Sequence, residues 1–439
     1  MPLSEIAQAQ VRKKPLFYYG WVIVGVGFIT LGSAFGVWYS FAVFILAIIN
    51  EFGWSRAATS SIFSAFILSQ SMMNLVTGHL QDRYGPRIVI PIGAVVLALA
   101  LVLTSRSQSL WHFTLAYGVM AGSGVSLMGF ASHSSFVPKW FERKRGLALG
   151  ITMSGIGMGM LLLIPLVELW ISTYGWRTAY LFLAGLILLL LGPLNLILAR
   201  RSPQDINLRP DGDADADEDP QHKPGMRLTV VDAAWAAQQW TLPKALRTRR
   251  FWFLFLAFFF LAFADQGTLL HAVSVMVDHG LSRDRAAYYF GILGVAGSVG
   301  KIVMGYLSDR YGRERTNTLG IILAVSGIFC LMHAGGSPVV LPLLFALFFG
   351  LGYGAVAPLL PSVCADIFLG NSFGLIFATI AVGGGVGGAM GAYMAGFLRD
   401  LSGTYITPLS VFIGFLFVAC LLIWLAAPRK VRRMVRNGG

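Results

Sequence analysis

The chain has little charge for its length. Only 12% of its 439 residues are Asp, Glu, Lys or Arg, whereas soluble domains carry about 25%. It is 56% hydrophobic, and apolar stretches of about 20 residues, long enough to cross a bilayer, recur along the whole length. This shortage of charge excludes an ordinary soluble domain. The composition predicts an all-α membrane protein that crosses the lipid bilayer many times.

Cysteine and catalytic motifs are also scarce. The three cysteines, Cys330, Cys364 and Cys420, all fall in apolar stretches, which argues against a disulfide framework. The sequence contains no nucleotide-binding loop, metal-ligand cluster or nucleophile–base constellation, and the glycine-rich stretch near residue 25 follows no strand. We therefore expect neither an enzyme nor an ATP-driven pump, and neither a cofactor nor a bound metal.

Twelve apolar spans can be delimited, so both termini should lie on one side of the membrane. Of the 33 lysines and arginines, 26 fall on that side and six fall in the opposite loops. Basic residues concentrate in cytoplasmic loops, which predicts cytoplasmic termini in a plasma membrane, here a bacterial inner membrane. The net charge of +13 is then a topology signal, and no nucleic-acid partner is expected. The predicted spans are residues 20–49, 57–80, 88–106, 111–136, 146–171, 178–199, 250–277, 286–308, 316–334, 339–365, 373–398 and 405–427.

The two halves of the chain repeat each other at a constant offset of 227 residues. That offset predicts two copies of a six-helix unit, residues 1–199 and 250–439, joined by a cytoplasmic linker, residues 200–249. In transporters built from such repeats, the substrate binds near mid-membrane between the two copies. The offset aligns residues in three separate loops: Gly53 with Gly280, Asp82 with Asp309, and Phe141 with Phe368.

The predicted linker changes character along its length. Residues 200–225 are polar and acidic, with several prolines and glycines, which is typical of a flexible segment. Residues 230–246 carry Trp235 and Trp240 among polar residues. This second part is either a short amphipathic helix on the membrane surface or an ordered piece of the linker.

Two loops carry a family signature. GHLQDRYGPR, residues 78–87, resembles the Gly-x-x-x-Asp-Arg-x-Gly-Arg motif of the major facilitator superfamily, and GYLSDRYGR, residues 305–313, resembles it more closely. Further phrases resemble the monocarboxylate transporters and the related oxalate/formate antiporters. The resemblance implies the major facilitator fold and secondary transport by alternating access, and we expect a functional monomer. These phrases are WFERKRGLALGITMSG (140–155), GWRTAY (175–180) and the run 352–405.

Lys301 is the basic residue that lies deep in an apolar span. An ammonium at this depth is costly, so it should face a wet cavity or a partner; the alternative is that it snorkels to the interface. In the related families a basic residue on helix 8, four before a glycine, resembles a carboxylate anchor, and Lys301 stands four before Gly305. Those families usually have arginine there, which leaves two-point recognition of a carboxylate open.

Asp265, in the seventh span, is the deeply placed carboxylate of the sequence. A carboxylate in such a position is suited to take up and release a proton during transport. The alternative is a structural ion pair with Lys301. We predict Asp265 as the proton-coupling residue.

Five further residues complete the predicted substrate site. His133 and His271 are suited to hydrogen-bond a substrate or to shuttle a proton near neutral pH, although a lone histidine is more often structural. Tyr39 and Tyr353 offer an aromatic face and a hydroxyl, with helix packing as the alternative role. Asn74 is the repeat partner of Lys301, which favours a position facing the cavity.

The basic turns and two glycine-rich stretches predict moving parts. Residues 150–160 and 381–396, on helices 5 and 11, have the spacing of small residues that lets helices approach closely, so they either slide between the halves or pack tightly. Ion pairs across the cytoplasmic face would form a gate. The predicted gate residues are Asp82, Arg83, Arg87, Arg145, Asp309, Arg310 and Arg313.

These features together predict a symporter that couples protons to a small organic monocarboxylate resembling lactate or pyruvate. The alternative in the same class is an exporter of hydrophobic or drug-like compounds, because phenylalanine-rich helices and one cavity charge would also suit it. A different class is a membrane receptor or scaffold that kept the fold and lost transport.

Overall fold

A computed structural model describes residues 18–141, 145–206, 208–210, 227–337, 339–368, 370 and 372–435. In these ranges, twelve long helices follow one another. Eleven have the length and hydropathy to cross a membrane, and α2 has the length but is more polar. The helices are α1 (Gly20–Phe52), α2 (Arg56–Tyr84), α3 (Pro86–Ser105), α4 (Leu110–Trp140), α5 (Arg145–Tyr174), α6 (Trp176–Leu198), α7 (Arg249–Asp278), α8 (Arg283–Tyr311), α9 (Arg313–Met332), α10 (Val340–Phe368), α11 (Phe373–Ser402) and α12 (Ile406–Ala426).

Both ends of the helical array lie on one side of the membrane. We call the side where α1 begins and α12 ends the terminal side, and the other the opposite side. Helices α1–α6 form the first half and α7–α12 the second half. The predicted all-α membrane fold is confirmed, apart from one two-stranded ribbon described below.

The structure repeats at the offset seen in the sequence. Adding 227 to the bounds of α2 gives those of α8, and adding 227 to those of α3 gives those of α9. The turns repeat as well, because Gly85 has a φ of 75° and its partner Gly312 a φ of 95°, a region that favours glycine. Two copies of a six-helix unit are therefore confirmed.

Glycines on α5 and α11 serve contacts on two faces of the same helix. Within the first half, a Cβ at Gly159 would lie 1.9 Å from the carbonyl oxygen of Gly32 on α1. On another face of α5, a Cβ at Gly157 would lie 2.2 Å from the carbonyl oxygen of Gly294 on α8, in the second half. The glycines therefore allow close packing within a half and between the halves, and sliding between the halves stays a prediction.

The last part of the segment between α6 and α7, from residue 227 onward, is attached to the second half. Strand β1 (Arg227–Val230) pairs antiparallel with β2 (Arg432–Val435), and two short helices follow, Ala233–Ala237 and Leu242–Leu246. The indole N–H of Trp235 donates to the carbonyl of Ile367 at 2.8 Å, and the ring of Trp240 packs on Phe368. These contacts favour an ordered piece of the linker over a helix lying on the membrane surface. The acidic residues 211–226 of the predicted flexible part lie outside the described residues.

Candidate functional site

Two tyrosines join the halves near the middle of the membrane. The hydroxyl of Tyr39, on α1, lies 2.8 Å from that of Tyr353, on α10. Tyr39 is 19 residues into a helix of 33, which places it roughly 29 Å from the start of α1 at 1.5 Å per residue. Both predicted tyrosines therefore lie in the interface between the halves, where they contact each other directly.

Aromatic rings surround this tyrosine pair. Trp38 and Phe35 stack with ring centroids 5.2 Å apart, and the ring of Trp38 lies 5.8 Å from that of Tyr39. On the other half, the ring of Phe349 lies parallel to Tyr353 at 6.3 Å. The pair thus presents two hydroxyls in an otherwise apolar wall.

Asp265, on α7, lies beside the same pair. Asp265 as a residue is 3% exposed, and its carboxylate is close enough to Tyr39 and Tyr353 to interact electrostatically with both hydroxyls. Within the described part of the chain, it forms no ion pair with Lys301 or with any other cation. The arrangement therefore differs from the structural ion pair considered as an alternative.

Lys301 lies on the face of α8 that meets the rest of the interface. It shares this face with Gly297 and Ser298, one helical turn away. A Cβ at Gly297 would lie 3.7 Å from the ring of Tyr353, and the hydroxyl of Ser298 donates to the carbonyl of Ser154 on α5 at 3.3 Å. Lys301 is half-buried, and no acidic side chain among the described residues pairs with it. A cation is thus placed between α5 and α10, one turn toward the terminal side from the tyrosines.

Two of the other predicted site residues bond within the first half. Asn74 accepts a hydrogen bond from Ser126 of α4 at 2.7 Å. His133 is 0% exposed, its Nδ1 bonds the carbonyl of Gly129 at 3.0 Å, and its ring packs against Gly27. Both residues connect helices of the first half, and neither adjoins the tyrosine pair.

His271 belongs to a polar network on the opposite side. Its Nε2 lies 3.0 Å from the hydroxyl of Ser60 on α2, and its Nδ1 lies 2.9 Å from the hydroxyl of Tyr405. The ring therefore links the two halves, well away from Lys301. Burial raises the pKa of Tyr405 to about 12, so its hydroxyl stays neutral and can both donate and accept.

Arg56, at the start of α2, is the centre of this network. Its guanidinium donates to Asp278 at 3.0 and 3.1 Å and to the hydroxyl of Tyr405 at 2.7 Å. The backbone N–H groups of Arg56 and Ala57 donate to the carboxylate of Asp400, on α11, at 3.2 and 2.8 Å. Free N–H groups at a helix start attract a carboxylate, so a residue of the second half caps a helix of the first.

We call Arg56, Ser60, His271, Asp278, Asp400 and Tyr405 the outer seal. Of these six residues, the sequence pointed only to His271, and to a role in substrate binding or proton transfer. Arg56 entered only the count of basic loop residues. A usable signal was present, because Asp278 and Asp400 are acidic residues close to the few basic residues of the opposite side.

The predicted gate residues that the structure describes bond within one half, unlike the residues of the outer seal. Arg313 donates to Asp309 at 2.6 Å and to Asp366 at 3.1 Å, Arg310 donates to Tyr306, and Arg87 donates to the carbonyl of Leu196. Arg83 lies over the ring of Tyr84. All of these bonds stay within one half. The side chains of the remaining two gate residues, Asp82 and Arg145, lie outside what the structure describes.

The terminal-side part of α5 is loosely packed. A Cβ at Gly150 on α5 would meet nothing within 4 Å, and Leu147 and Ile151, on the face that meets α8 at Ser154, are 56% and 37% exposed. Side-chain bonds between described residues of different halves occur at mid-membrane and on the opposite side.

Known families share this architecture. The family model of the major facilitator superfamily matches residues 26–387. The chain belongs to the major facilitator superfamily. It is accordingly a multi-pass membrane transporter and not an enzyme, and within the described residues no three metal-binding side chains come together.

The curated relatives are named monocarboxylate transporters. Monocarboxylate transporter 12 of Xenopus laevis is 27% identical over 438 residues, which cover 95% of this chain and 90% of the relative. Monocarboxylate transporter 11 of Homo sapiens is 28% identical over 430 residues, covering 94% and 84%. These matches agree with the family phrases recognised in the sequence.

Solved structures share the fold at low identity. A D-xylose–proton symporter aligns with a TM-score of 0.66 at 18% identity, covering 92% of this chain and 97% of that one. A nucleoside transporter aligns with a TM-score of 0.70 at 12% identity, covering 93% and 100%. At these identities the likeness concerns the fold alone.

Proposed function

We propose that the protein is a proton-coupled symporter of small organic monocarboxylates resembling lactate or pyruvate, working by alternating access. The observation that carries this proposal is Lys301, a half-buried cation in the interface that pairs with no acidic side chain among the described residues. A cation at this depth requires a counter-charge. A bound carboxylate supplies one, with the hydroxyls of Tyr39 and Tyr353 as neighbouring polar groups.

The charges of Lys301 and Asp265 account for the coupling. In the empty site the ammonium and the carboxylate sum to zero. In the loaded site the substrate neutralises Lys301 and a proton neutralises Asp265, so the sum is again zero. Substrate without a proton, or a proton without substrate, would leave a net charge at mid-membrane, which is costly. The site therefore moves readily only when both ligands are bound or both are absent.

The names of the relatives support the substrate class. They are called monocarboxylate transporters, and this chain covers 90% of the Xenopus protein's length. A lysine in place of the arginine usual in these families offers a single compact charge instead of a planar pair of donors. We therefore expect a small carboxylate held at one point, with the aromatic wall contacting its apolar part.

The aromatic wall favours a second candidate, an exporter of hydrophobic or drug-like compounds. Phe35, Trp38 and Phe349 give the site more apolar than polar surface. An exporter of neutral compounds would bind its ligand without needing Lys301. A receptor or scaffold without transport is the remaining class, and liposomes containing the protein would then show no substrate flux.

The test measures the binding of lactate, pyruvate and a neutral hydrophobic compound to purified protein by calorimetry. A charge-assisted contact contributes about 1.5–3 kcal/mol, so Lys301→Ala should weaken carboxylate binding about 10- to 100-fold. Lys301→Arg should retain part of the affinity. The matched control is Lys244→Ala, because Lys244 is exposed in the segment before α7.

Two outcomes would count against the proposal. If both Lys301 variants bind carboxylates as the unaltered protein does, Lys301 is no substrate anchor. If only the neutral compound binds, and binds equally to all variants, the exporter is the better description.

We further propose that the terminal side is cytoplasmic, that the membrane is a bacterial inner membrane, and that the monomer is the functional unit. The excess of basic residues on the terminal side supports the orientation. A cysteine at exposed Gln238 should resist a membrane-impermeant maleimide in whole cells, and one at exposed Gln108 should react. The reverse pattern would invert the topology.

A further inference from the structure

A small cavity lies between helices of the second half. Residues of α7, α9, α10 and α12 line it, and it offers about 10 Å³ to the centre of a water molecule. That is about the volume that one buried water needs. Asp265 and Asn317 are the polar side chains of its lining, and the others are apolar or glycine.

Both polar side chains lack partners. Asn317 is 6% exposed, and its amide nitrogen has no hydrogen-bond partner among the described residues. Asp265 is 3% exposed and makes no hydrogen bond or ion pair with any described residue. An unsatisfied buried polar group costs about 1–3 kcal/mol, so the unpartnered amide nitrogen of Asn317 beside the unpaired Asp265 indicates a shared polar occupant.

The backbone of α10 is interrupted at the same place. The helix is continuous from Val340 to Gly354 and resumes at Val356, and the N–H of Ala355 bonds the carbonyl of Gly352 at 3.0 Å. Gly352, Ala355 and Val356 all line the cavity. Irregular backbone at membrane depth is found where it is enclosed by protein or lines a wet cavity.

We infer that Asp265 and Asn317 hold one water molecule between them, and that Asn317 positions the proton-carrying carboxyl group through this water. The amide N–H of Asn317 donates to the water oxygen, and the water donates to the charged carboxylate. When Asp265 is protonated, its O–H donates to the water instead. A metal cation fits the cavity less well, because the unpartnered group of Asn317 is a donor. The inference rests on the proposed role of Asp265 in proton coupling.

On the side of the cavity, the inferred water is the polar group that contacts Asp265, as the neighbouring groups show. Tyr39 and Tyr353 face it from α1 and α10. From α9 and α12 the cavity receives Asn317 and the apolar Leu416. Helix α11 meets α7 through glycines such as Gly387, and Lys301 of α8 forms no ion pair with Asp265.

The test compares Asn317→Leu and Asn317→Asp with the unaltered protein in liposomes, as substrate-driven proton uptake against pH. Asn317→Leu removes the donor that favours the charged carboxylate, so the pH of half-maximal uptake should rise by about one unit, a tenfold change in proton concentration. Asn317→Asp adds a second acid to the cavity and should raise the pH of half-maximal uptake further. Thr316→Val is the matched control, because Thr316 is also buried with an unpartnered hydroxyl and does not line the cavity.

A second readout reports the water itself. The infrared difference spectrum between high and low pH should contain a water band that shifts in H₂¹⁸O and disappears in Asn317→Leu. If Asp265→Asn abolishes proton coupling while both Asn317 variants keep the original pH profile and water band, this inference is wrong and the proposed function stands. If Asp265→Asn leaves coupling intact, the proposed role of Asp265 fails first. If uptake requires sodium, the occupant of the cavity is a cation and not a water molecule, and this inference is wrong.

Discussion

The two ends of the interface between the halves are held differently. On the opposite side, Arg56 of the first half bonds Asp278 and Tyr405 of the second, and Asp400 caps α2 across the interface. On the terminal side, bonds such as Arg313 to Asp309 stay within one half. Among the bonds described here, those that join the halves therefore lie at mid-membrane and on the opposite side.

The difference shows which contacts stabilise this conformation relative to the alternative one. A two-state transporter moves between forms whose free energies differ by a few kcal/mol, and the outer seal must break for the opposite side to open. On the terminal side, Arg87, Arg310 and Arg313 have partners within their own half, so separation of the halves would not break these bonds. We expect perturbations of the outer seal to shift the equilibrium strongly, and perturbations of the terminal side to shift it little.

Gly157→Ala should have the largest effect. Its Cβ would lie 2.2 Å from a backbone oxygen of α8, which cannot move without moving the helix. Overpacking costs about 3 kcal/mol, so the form closed on the opposite side should lose roughly a hundredfold in population. The measurement is the maleimide labelling rate of a cysteine at Ala57, which is 8% exposed in the closed interface, with the three natural cysteines replaced.

Gly150→Ala is the matched control on the same helix. A Cβ there would meet nothing within 4 Å, so labelling at residue 57 should stay at its original rate or fall. Equal acceleration by both variants would mean that α5 responds to any added methyl group, and the proposed asymmetry would be lost.

Arg56→Ala should have the second largest effect. It removes charge-assisted bonds to Asp278 and the bond to Tyr405, with the side chains of Arg56 and Asp278 18% and 28% exposed. A loss of about 2 kcal/mol corresponds to roughly thirtyfold faster labelling at residue 57. Arg106→Ala, on the same side of the membrane, is the control, and labelling as slow in Arg56→Ala as in that control would remove Arg56 from the seal.

Asp309→Asn should have the smallest effect. The side chain of Asp309 is 59% exposed, and its partner Arg313 belongs to the same half. Exposed ion pairs contribute less than about 1 kcal/mol, so labelling at residue 57 should change less than about fivefold. An acceleration comparable to that of Arg56→Ala would show that the terminal-side turns also hold this conformation.

Local patterns predicted the fold well. Apolar spans, turn glycines and the 227-residue offset are properties of neighbouring residues, and α8 and α9 begin and end where the offset from α2 and α3 requires. Lys301 and Asp265 were recognisable because charge is rare inside apolar spans. Tyr39 and Tyr353 were each predicted as site residues, but not as a pair in contact.

Contacts between distant residues were not predictable in this way. Tyr39 and Tyr353 are 314 positions apart, and their meeting depends on how α1 packs against α10. His271 carried a plausible chemical role, yet its position beside Ser60 makes it part of the outer seal. Asn317 gave no signal, because an asparagine near the start of a span looks like an ordinary polar end until the cavity beside it is seen.

The ribbon formed by β1 and β2 shortens the length of chain that connects the two halves. Because β1 is fastened to β2 beyond α12, the chain from β1 to α7 travels with the second half, and only the residues between α6 and β1 connect the halves. A shorter tether confines the halves to a smaller volume when the interface opens, and the cost of confinement varies only slowly with tether length. Removal of β2 would release β1 and lengthen the chain that connects the halves, without altering a membrane helix.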